Sequence, residues 1–172
     1  MFRSSVLVAL LVLTFPLSAR AAIYPVTVTS GTGPGSLAAV MQAAADGDTI
    51  VFQVALPAVI DVSEDWFGNA KHLTISGPGH ALTLRFGLSS AGTYVSNKNF
   101  VNLSIAFGSF NRGLVLGATV IDRVNLDGTG AGGQAAMSTQ SSLAIRDSYL
   151  HDGKVAIFSQ GGTVTMERTT VA

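Results

Sequence analysis

Short apolar triplets recur along the second half of this chain at nearly constant spacing. They end at Ile75, Ile105, Leu126, Leu150 and Val171, so the steps between them are 30, 21, 24 and 21 residues. A second apolar column repeats the last three steps, and its members are Phe100, Ile121, Ile145 and Met166. Self-similarity at this period is typical of a solenoid, whose units bury their apolar faces only by stacking on one another. The sequence therefore predicts a stack of similar coils.

Each repeat is filled by short strands and turns. The pattern predicts strands near 72–76, 81–86, 93–96, 100–106, 114–116, 119–126, 135–138, 142–146, 148–150, 155–159 and 163–167. A repeat that is translated along the chain favours pairing between equivalent strands of successive coils, about 4.8 Å apart, over the mirror pattern of hairpins. The predicted fold is all-β, a parallel β-helix with Val, Ile, Leu and Phe facing inward and polar residues facing outward.

The first residues have the three parts of a secretion signal. Arg3 is basic, residues 6–13 are apolar but too few to span a bilayer, and residues 19–21 form a small-x-small cleavage site. Residues 1–21 are predicted to be a signal peptide, and the mature protein is expected to be secreted or held at the cell surface. No later apolar segment approaches spanning length, so no transmembrane segment is predicted in the mature chain.

Residues 22–46 are predicted to form an N-terminal strand and a short capping helix. Ser36 is a favourable N-cap residue. An apolar stripe at helical spacing follows it and consists of Leu37, Val40, Met41 and Ala44. Because an open solenoid end exposes apolar core and unpaired backbone, we expect this helix to cover that end. Residues 47–172 are predicted to form the coils, with the C-terminal coil incomplete, because 166–171 reads as the middle of a coil.

The balance of charge limits the classes of partner. The chain has ten basic and ten acidic residues and no cysteine. A neutral chain offers no electrostatic footprint for nucleic acid, so no nucleic-acid partner is predicted. Without disulfides, stability must come from packing and from backbone hydrogen bonds.

Three segments near the N-terminus resemble a known family. They read Gly33-Pro-Gly-Ser-Leu37, Gly47-Asp-Thr-Ile-Val-Phe52 and Leu73-Thr-Ile-Ser-Gly-Pro-Gly79. They are similar to the opening of secreted bacterial right-handed parallel β-helix proteins of the polymorphic-outer-membrane-protein and pectate-lyase-like type. The resemblance covers residues 26–79 well and the later coils by pattern only. It implies a right-handed solenoid and an extracellular setting, but this scaffold carries adhesins, autotransporter passengers and uronate-polysaccharide enzymes alike, so function must be argued from sites.

Charged residues concentrate in the last three coils. The repeat places them in two columns, which are Asp122, Arg146 and Glu167 in one and Arg123, Asp147 and Arg168 in the other. Alternation of sign along a ladder favours pairing between neighbouring strands. A calcium site needs carboxylates that lie together, and these columns separate them. We interpret the columns as a solvated face of ion pairs, and no metal site is predicted.

The resemblance also implies where catalysis would occur. Polysaccharide lyases of this fold use acidic residues with Ca²⁺, and a Lys or Arg as base, on one outer face across adjacent coils. The matching candidates for catalysis in this chain are Asp127, Asp147, His151, Asp152 and Lys154. The alternative interpretation of residues 151–154 is a turn beside an exposed histidine, because Asp-Gly pairs favour turns.

A second group of candidates lies earlier in the chain. Asp61, Asp65 and Trp66 place carboxylates beside an aromatic ring, a combination that can contact a glycan. The alternative is that Trp66 packs beneath the loop of the first coil, because aromatic rings are mostly core residues.

These observations predict an exported β-helix scaffold of surface or passenger type, adhesive or glycan-contacting, and they favour a protein that is not an enzyme. Two alternatives stay open. One is a polysaccharide lyase or related enzyme, for which Ca²⁺ would be the cofactor; otherwise no cofactor is predicted. The other is a non-catalytic carbohydrate-binding module. The expected partners are extracellular polysaccharide or cell-surface components, and a second copy bound through the open C-terminal coil.

Overall fold

The structure is a computed structural model that describes residues 20–63, 66–67, 70–87, 93–108, 114–117, 119–130, 135–139, 141–153 and 155–172. Within these residues the chain forms one helix, α1 (Leu37–Ala43), and a series of short strands. The predicted signal peptide at 1–21 lies almost wholly outside the described residues and stays a prediction.

The strands are β1 (Ile23–Val26), β2 (Thr49–Phe52), β3 (Ala58–Val62), β4 (Leu73–Ser76), β5 (Leu82–Phe86), β6 (Thr93–Ser96), β7 (Lys98–Phe107), β8 (Leu114–Gly117), β9 (Thr119–Asp127), β10 (Ala135–Thr139), β11 (Leu143–Arg146), β12 (Tyr149–His151), β13 (Val155–Ser159), β14 (Val164–Glu167) and β15 (Thr170–Val171). All pairs among these described strands are parallel. They build a β-solenoid of about five turns, which confirms the predicted parallel fold. The right-handed sense stays a prediction.

Successive coils contribute strands to three stacks. The first stack runs β1-β2-β4-β7-β9-β11-β14, and the third runs β6-β8-β10-β13. The second stack runs β3-β5-β7-β9-β12-β15, because the long strands β7 and β9 pass from the first stack into the second. Each strand thus pairs with its equivalents in the coils before and after it.

Inward-facing side chains form columns that run through the coils, and they are buried in every coil except the last, where Met166 and Val171 are exposed. In the first stack, the column consists of Ile50, Ile75, Phe100, Ile121, Ile145 and Met166, each opposite the next. In the second stack, it consists of Ile60, Leu84, Ile105, Leu126, Leu150 and Val171. The predicted steps of 21, 24 and 21 residues are therefore confirmed in both columns.

The predicted alignment of Ile75 with Ile105 is wrong. Ile75 lies opposite Phe100 in the first stack, whereas Ile105 lies opposite Leu84 in the second. Strands of both stacks alternate apolar and polar residues in the same way, so a single triplet does not reveal the stack to which it belongs. The 30-residue step is a change of stack, and the coil itself advances by 25 residues from Ile75 to Phe100.

The corner between the first and second stacks depends on one left-handed residue in each of four coils. These residues are Asn102, Arg123, Asp147 and Arg168, with φ between 45° and 54°. Inward positions are three residues apart across this corner, as at Phe100 and Leu103, instead of the usual two. The left-handed residue supplies the extra step, so the chain turns while the inward face stays inward.

The predicted helix is confirmed. The Ser36 hydroxyl accepts a hydrogen bond from the Ala39 amide at 3.3 Å, as expected of an N-cap. Leu37, Val40 and Met41 are buried in the same core cluster as the strand columns. The helix is therefore joined to the core through its apolar stripe, as its sequence spacing predicts.

Lys98, the first residue of β7, is a buried cation inside this core. Its side chain is fully buried, and Nζ donates to the carbonyl oxygens of Lys71 at 2.8 Å and Ser96 at 2.7 Å. Burial, together with the charge of Lys71, lowers the pKa of Lys98 to about 8, while the charge of Asp46 opposes the shift. The charged form is thus disfavoured in the native state relative to the unfolded chain.

This burial predicts a pH-dependent stability. Between pH 8 and 10.5, the ordinary lysine value, the unfolded chain holds the Lys98 proton and the native protein does not, so the free energy of unfolding rises with pH. Each pKa unit corresponds to about 1.4 kcal/mol, so the free energy of unfolding should rise by roughly 3 kcal/mol between these two pH values. Chemical denaturation of the wild type and Lys98→Met at pH 7.5 and 10 measures it. The wild type should gain stability relative to the variant; a difference that does not change with pH would contradict the assignment.

Candidate functional site

The outer face of the second stack carries one continuous column of mostly polar residues. Its members are Asp61, Arg85, Ala106, Asp127 and His151, each opposite the next in successive coils. Each member directly follows a buried apolar residue of the inward face, so alternation places this column outside. Two groups of candidates that are far apart in the sequence, one at residue 61 and the other at 127–152, thus share one surface.

Asp61 is held in an ion pair with the next coil. Arg85 donates from Nε to Oδ1 at 2.6 Å and from Nη2 to Oδ2 at 2.9 Å. The hydrogen bond from Arg85 outweighs desolvation and lowers the pKa of Asp61. Both oxygens are therefore engaged, and glycan contact through Asp61 would have to compete with this bidentate pair.

The other two predicted glycan-contact residues are Asp65 and Trp66. Asp65 lies outside the described residues. Trp66 is half-buried and packs against the core, and its neighbour Phe67 is fully buried. The Phe67 ring contacts the rings of Phe86 and Phe100, with centroids 5.2 and 5.8 Å away. Trp66 keeps an accessible part beside α1, where it lines a pocket.

Three of the predicted catalytic candidates come together at the end of the second stack. Asp127 ends β9 and His151 ends β12, and the two lie directly opposite each other. One ligand atom from each of Asp127, His151 and Asp152 lies within 4.8 Å of the others. His151 Nδ1 is 2.6 Å from Asp152 Oδ2, and the His151 side chain is only 19% exposed. We refer to these three residues as the polar cluster.

Two stacked turns position the polar cluster. The Gly128 amide donates to the His151 carbonyl at 2.8 Å. A Cβ on Gly128 would lie 2.8 Å from Gly153 Cα, so only glycine allows this approach of the two turns. Asp152 has a φ of 59°, which Asp tolerates better than most residues. The chain bends at Asp152, where the sequence predicts an Asp-Gly turn, and this bend lies beside Gly128 of the preceding coil.

Asp127 is held as an ionised acceptor. Its Oδ1 accepts hydrogen bonds from the Thr129 amide at 2.9 Å and from the Thr129 hydroxyl at 2.5 Å. Partial burial raises the pKa of Asp127, but these two hydrogen bonds and the charge of His151 together outweigh it, so the pKa lies below its ordinary value. The cluster can thus accept hydrogen bonds from a bound hydroxyl group.

Tyr149 adds an aromatic surface that the search for catalytic residues missed. Its ring stacks on that of His151, with centroids 4.6 Å apart and planes 20° from parallel. The side chain is 45% exposed. The signal was available in the sequence, because residues two apart on a strand face the same side.

The remaining catalytic candidates do not join the polar cluster. Asp147 lies at the corner, where Arg168 donates from Nε to Oδ1 at 2.5 Å and from Nη2 to Oδ2 at 2.8 Å. The hydrogen bond from Arg168 lowers the pKa of Asp147. Lys154 lies outside the described residues.

The two predicted columns of alternating charge have the expected register. Arg146 lies opposite both Asp122 and Glu167, and its Nε is 3.9 Å from Glu167 Oε2. Arg168 bonds to Asp147 in the coil before it. These charges therefore form ion pairs between and within coils, as interpreted from their order in the sequence.

The polar cluster also has the residue types of a metal site. One imidazole and two carboxylates form a donor set that a divalent cation accepts. In this structure the same atoms are engaged with one another and with Thr129. The absence of a metal site therefore stays a prediction.

Comparison of the chain with protein-family models, with curated proteins and with solved structures finds no match. The resemblance to polymorphic-outer-membrane-protein and pectate-lyase-like proteins accordingly stays a prediction. Across the described part of the chain, no helix has both the length and the apolar character needed to cross a membrane.

The hydrogen bonds of Asp127 predict the effect of a substitution at Thr129. Replacing Thr129 by Val removes the hydroxyl donor and leaves burial opposed only by the Thr129 amide and His151, so the pKa of Asp127 should rise. Side-chain carboxyl titration by NMR measures the shift. Asp61 is the internal control, because its pKa depends on Arg85 and should not move. An unchanged Asp127 titration would contradict the assigned network.

Proposed function

We propose that this protein is an exported β-solenoid scaffold of cell-surface type that contacts polysaccharide through the outer face of its second stack. The observation that carries the proposal is that the Tyr149 ring stacks on His151, which lies close to the carboxylates of Asp127 and Asp152. An exposed aromatic ring offers an apolar surface to the C–H face of a sugar ring. Ionised carboxylates beside it accept hydrogen bonds from the sugar hydroxyl groups.

The shape of the surface also favours a linear polymer. Parallel strands about 4.8 Å apart present equivalent outer positions at a constant interval along the solenoid. The outer column that runs from Asp61 to His151 follows this axis over five strands. An extended polysaccharide lying along the axis could contact successive coils, and it would meet the aromatic surface at Tyr149.

The ion pairs on the outer face support a scaffold function more than a catalytic one. Both oxygens of Asp61 are bound by Arg85, and both oxygens of Asp147 are bound by Arg168. Exposed ion pairs of this kind stabilise a protein only slightly, but they fix the geometry of neighbouring side chains. Most of the charged outer face is therefore committed to joining coils.

Export and localisation belong to the same proposal. The apolar segment at 6–13 and the site at 19–21 support export, followed by secretion or retention at the cell surface. Self-association through the last coil is proposed as well. It is supported by Met166 and Val171, which are 52% and 45% exposed although their columns are buried in the preceding coils.

Replacement of Tyr149 tests the glycan-binding surface. Tyr149→Ala should weaken binding of the preferred oligosaccharide roughly tenfold, which corresponds to the loss of about 1.4 kcal/mol of stacking and contact free energy. A glycan array identifies the ligand, and calorimetry measures the affinity. Tyr94→Ala is the matched control, because Tyr94 is equally exposed, at 47%, but lies on the third stack. Equal affinities of the wild type and Tyr149→Ala would refute this surface.

A polysaccharide-active enzyme is the second candidate, and one observation favours it. His151 lies close to two carboxylates, and histidine is the side chain that acts most often as a general acid or base. In a lyase reaction the base removes the proton at C5 of a uronate, the C4=C5 double bond forms as the C4–O bond breaks, and the leaving oxygen takes up a proton, so that a 4,5-unsaturated uronate and a free hydroxyl end are released.

A lyase assay separates the two functions. Absorbance of unsaturated uronates is followed with a panel of uronate polysaccharides, with and without Ca²⁺. If the enzyme exists, the wild type releases product, and His151→Asn reduces the rate by at least two orders of magnitude, the usual contribution of a general acid or base. Asp147→Asn is the control, because Asp147 lies outside the polar cluster. Binding without product release would exclude the enzyme and leave only the scaffold function.

A further inference from the structure

A pocket of about 670 Å³ opens between helix α1 and the segment that contains Trp66. Its described lining residues are Thr32, Gly33, Ala38, Ala39, Met41, Gln42, Trp66 and Lys71. The volume is in the range of small-molecule sites, which is roughly 300–1,000 Å³. The pocket is far along the solenoid from Tyr149, since Trp66 precedes β4 and Tyr149 begins β12.

Helix α1, which forms one wall of the pocket, is fixed to the solenoid by buried side chains and by hydrogen bonds. Leu37, Val40 and Met41 anchor α1 in the core. At the other end of the helix, Lys71 Nζ donates to the carbonyl oxygens of Met41 at 3.3 Å, Gln42 at 2.9 Å and Ala44 at 2.7 Å. These bonds satisfy carbonyls that a helix end leaves without intrahelical partners. The wall that α1 forms is therefore present before any ligand binds.

The indole ring lies against the loop that precedes α1. A Cβ built on Gly31 would lie 3.3 Å from Cη2 of Trp66, so this loop packs against the edge of the ring. The Trp66 amide donates to the Ser63 carbonyl at 3.3 Å, which ties the backbone of Trp66 to the end of the preceding segment. The edge of the ring is thus covered by the loop, while part of the ring lines the pocket.

The lining combines an apolar surface with polar groups at few positions. Trp66 provides an aromatic ring, and Ala38 and Ala39 leave room because their side chains are short. Thr32 and Gln42 are exposed and contribute a hydroxyl and an amide, which both donate and accept hydrogen bonds. A pyranose ring has the matching chemistry, with an apolar C–H face and hydroxyl groups at its edge.

We propose that this pocket binds one pyranose residue of a polysaccharide, stacked on Trp66, as a site separate from the Tyr149 surface. The proposal relies on the proposed function only for the setting in which polysaccharide is present. In this proposal Trp66 contacts the sugar without Asp61, because the Asp61 carboxylate is bound by Arg85.

The fluorescence of Trp66 tests the pocket directly, because it is the single tryptophan of the chain. The full-length protein is titrated with two probes, a neutral xylose tetramer and a galacturonate tetramer, while calorimetry records total binding. Binding in the pocket should change the Trp66 emission saturably with at least one probe. The probe that produces the change tells whether the site takes a neutral or an acidic sugar.

Three variants retain the tryptophan and locate the site. Ala38→Arg places a long side chain in the pocket and should weaken the affinity read from Trp66 at least tenfold. Ala43→Arg is the matched control, since Ala43 is exposed on the same helix and does not line the pocket. Tyr149→Ala should leave the Trp66 titration unchanged. Thermal unfolding of each variant establishes that it is folded.

The outcomes separate this proposal from the proposed function. An unchanged Trp66 titration in Ala38→Arg, or its loss in Tyr149→Ala, overturns the pocket. Calorimetric binding that Tyr149→Ala removes, without any change in Trp66 emission, overturns the pocket and leaves the proposed function standing. Absence of binding to the array and to both probes overturns both. A saturable emission change that only Ala38→Arg weakens supports the pocket.

Discussion

Parallel pairing between equivalent strands of successive coils is the constraint on which the rest of this structure depends. It brings residues 20–26 positions apart in the chain to adjacent places in a sheet. Each strand alternates between the two faces, so the pairing produces inward columns and outward columns together. The buried core, the ion pairs between coils and the polar cluster are all consequences of this one register.

The register survives the corner because one residue in each of four coils adopts a left-handed conformation. Without that extra step, alternation would turn the inward residues of the second stack toward solvent. The corner side chains face outward, which explains why charged residues occur at this position. Arg168 and Asp147 then pair between neighbouring coils. Their presence in the last coils is therefore a property of the corner as much as of any binding surface.

The outer surface has three regions, which differ in whether their side chains pair with one another or are available to a ligand. Where oppositely charged residues stack in neighbouring coils, as at Asp61 and Arg85, the side chains satisfy each other. Where the column continues to Asp127 and His151, it meets an exposed aromatic ring and two glycine-dependent turns. A third region lies beside α1, where the residues that join the helix to the solenoid also enclose a pocket. The proposed contacts with polysaccharide follow this division.

The parallel solenoid, the positions of most strands, the short helix after Ser36 and the alternation of charge in the last coils can all be predicted from the amino-acid sequence. These features depend on apolar period, turn residues and capping, which are local and repeat along the chain. The sequence also brought Asp127, His151 and Asp152 into consideration, and it contained the spacing that places Tyr149 beside His151.

Only the tertiary structure decided which stack each triplet occupies. The alternation of apolar residues separates inward from outward, but it is identical in both stacks, so Ile75 was aligned with the wrong column. The pairing of Asp61 with Arg85, the shared column of Asp61 and Asp127, and the burial of Lys98 depend on the lengths of the coils and on the step at each corner. The register between two distant coils depends on the lengths of all the coils and corners between them, and a local sequence pattern does not give these lengths.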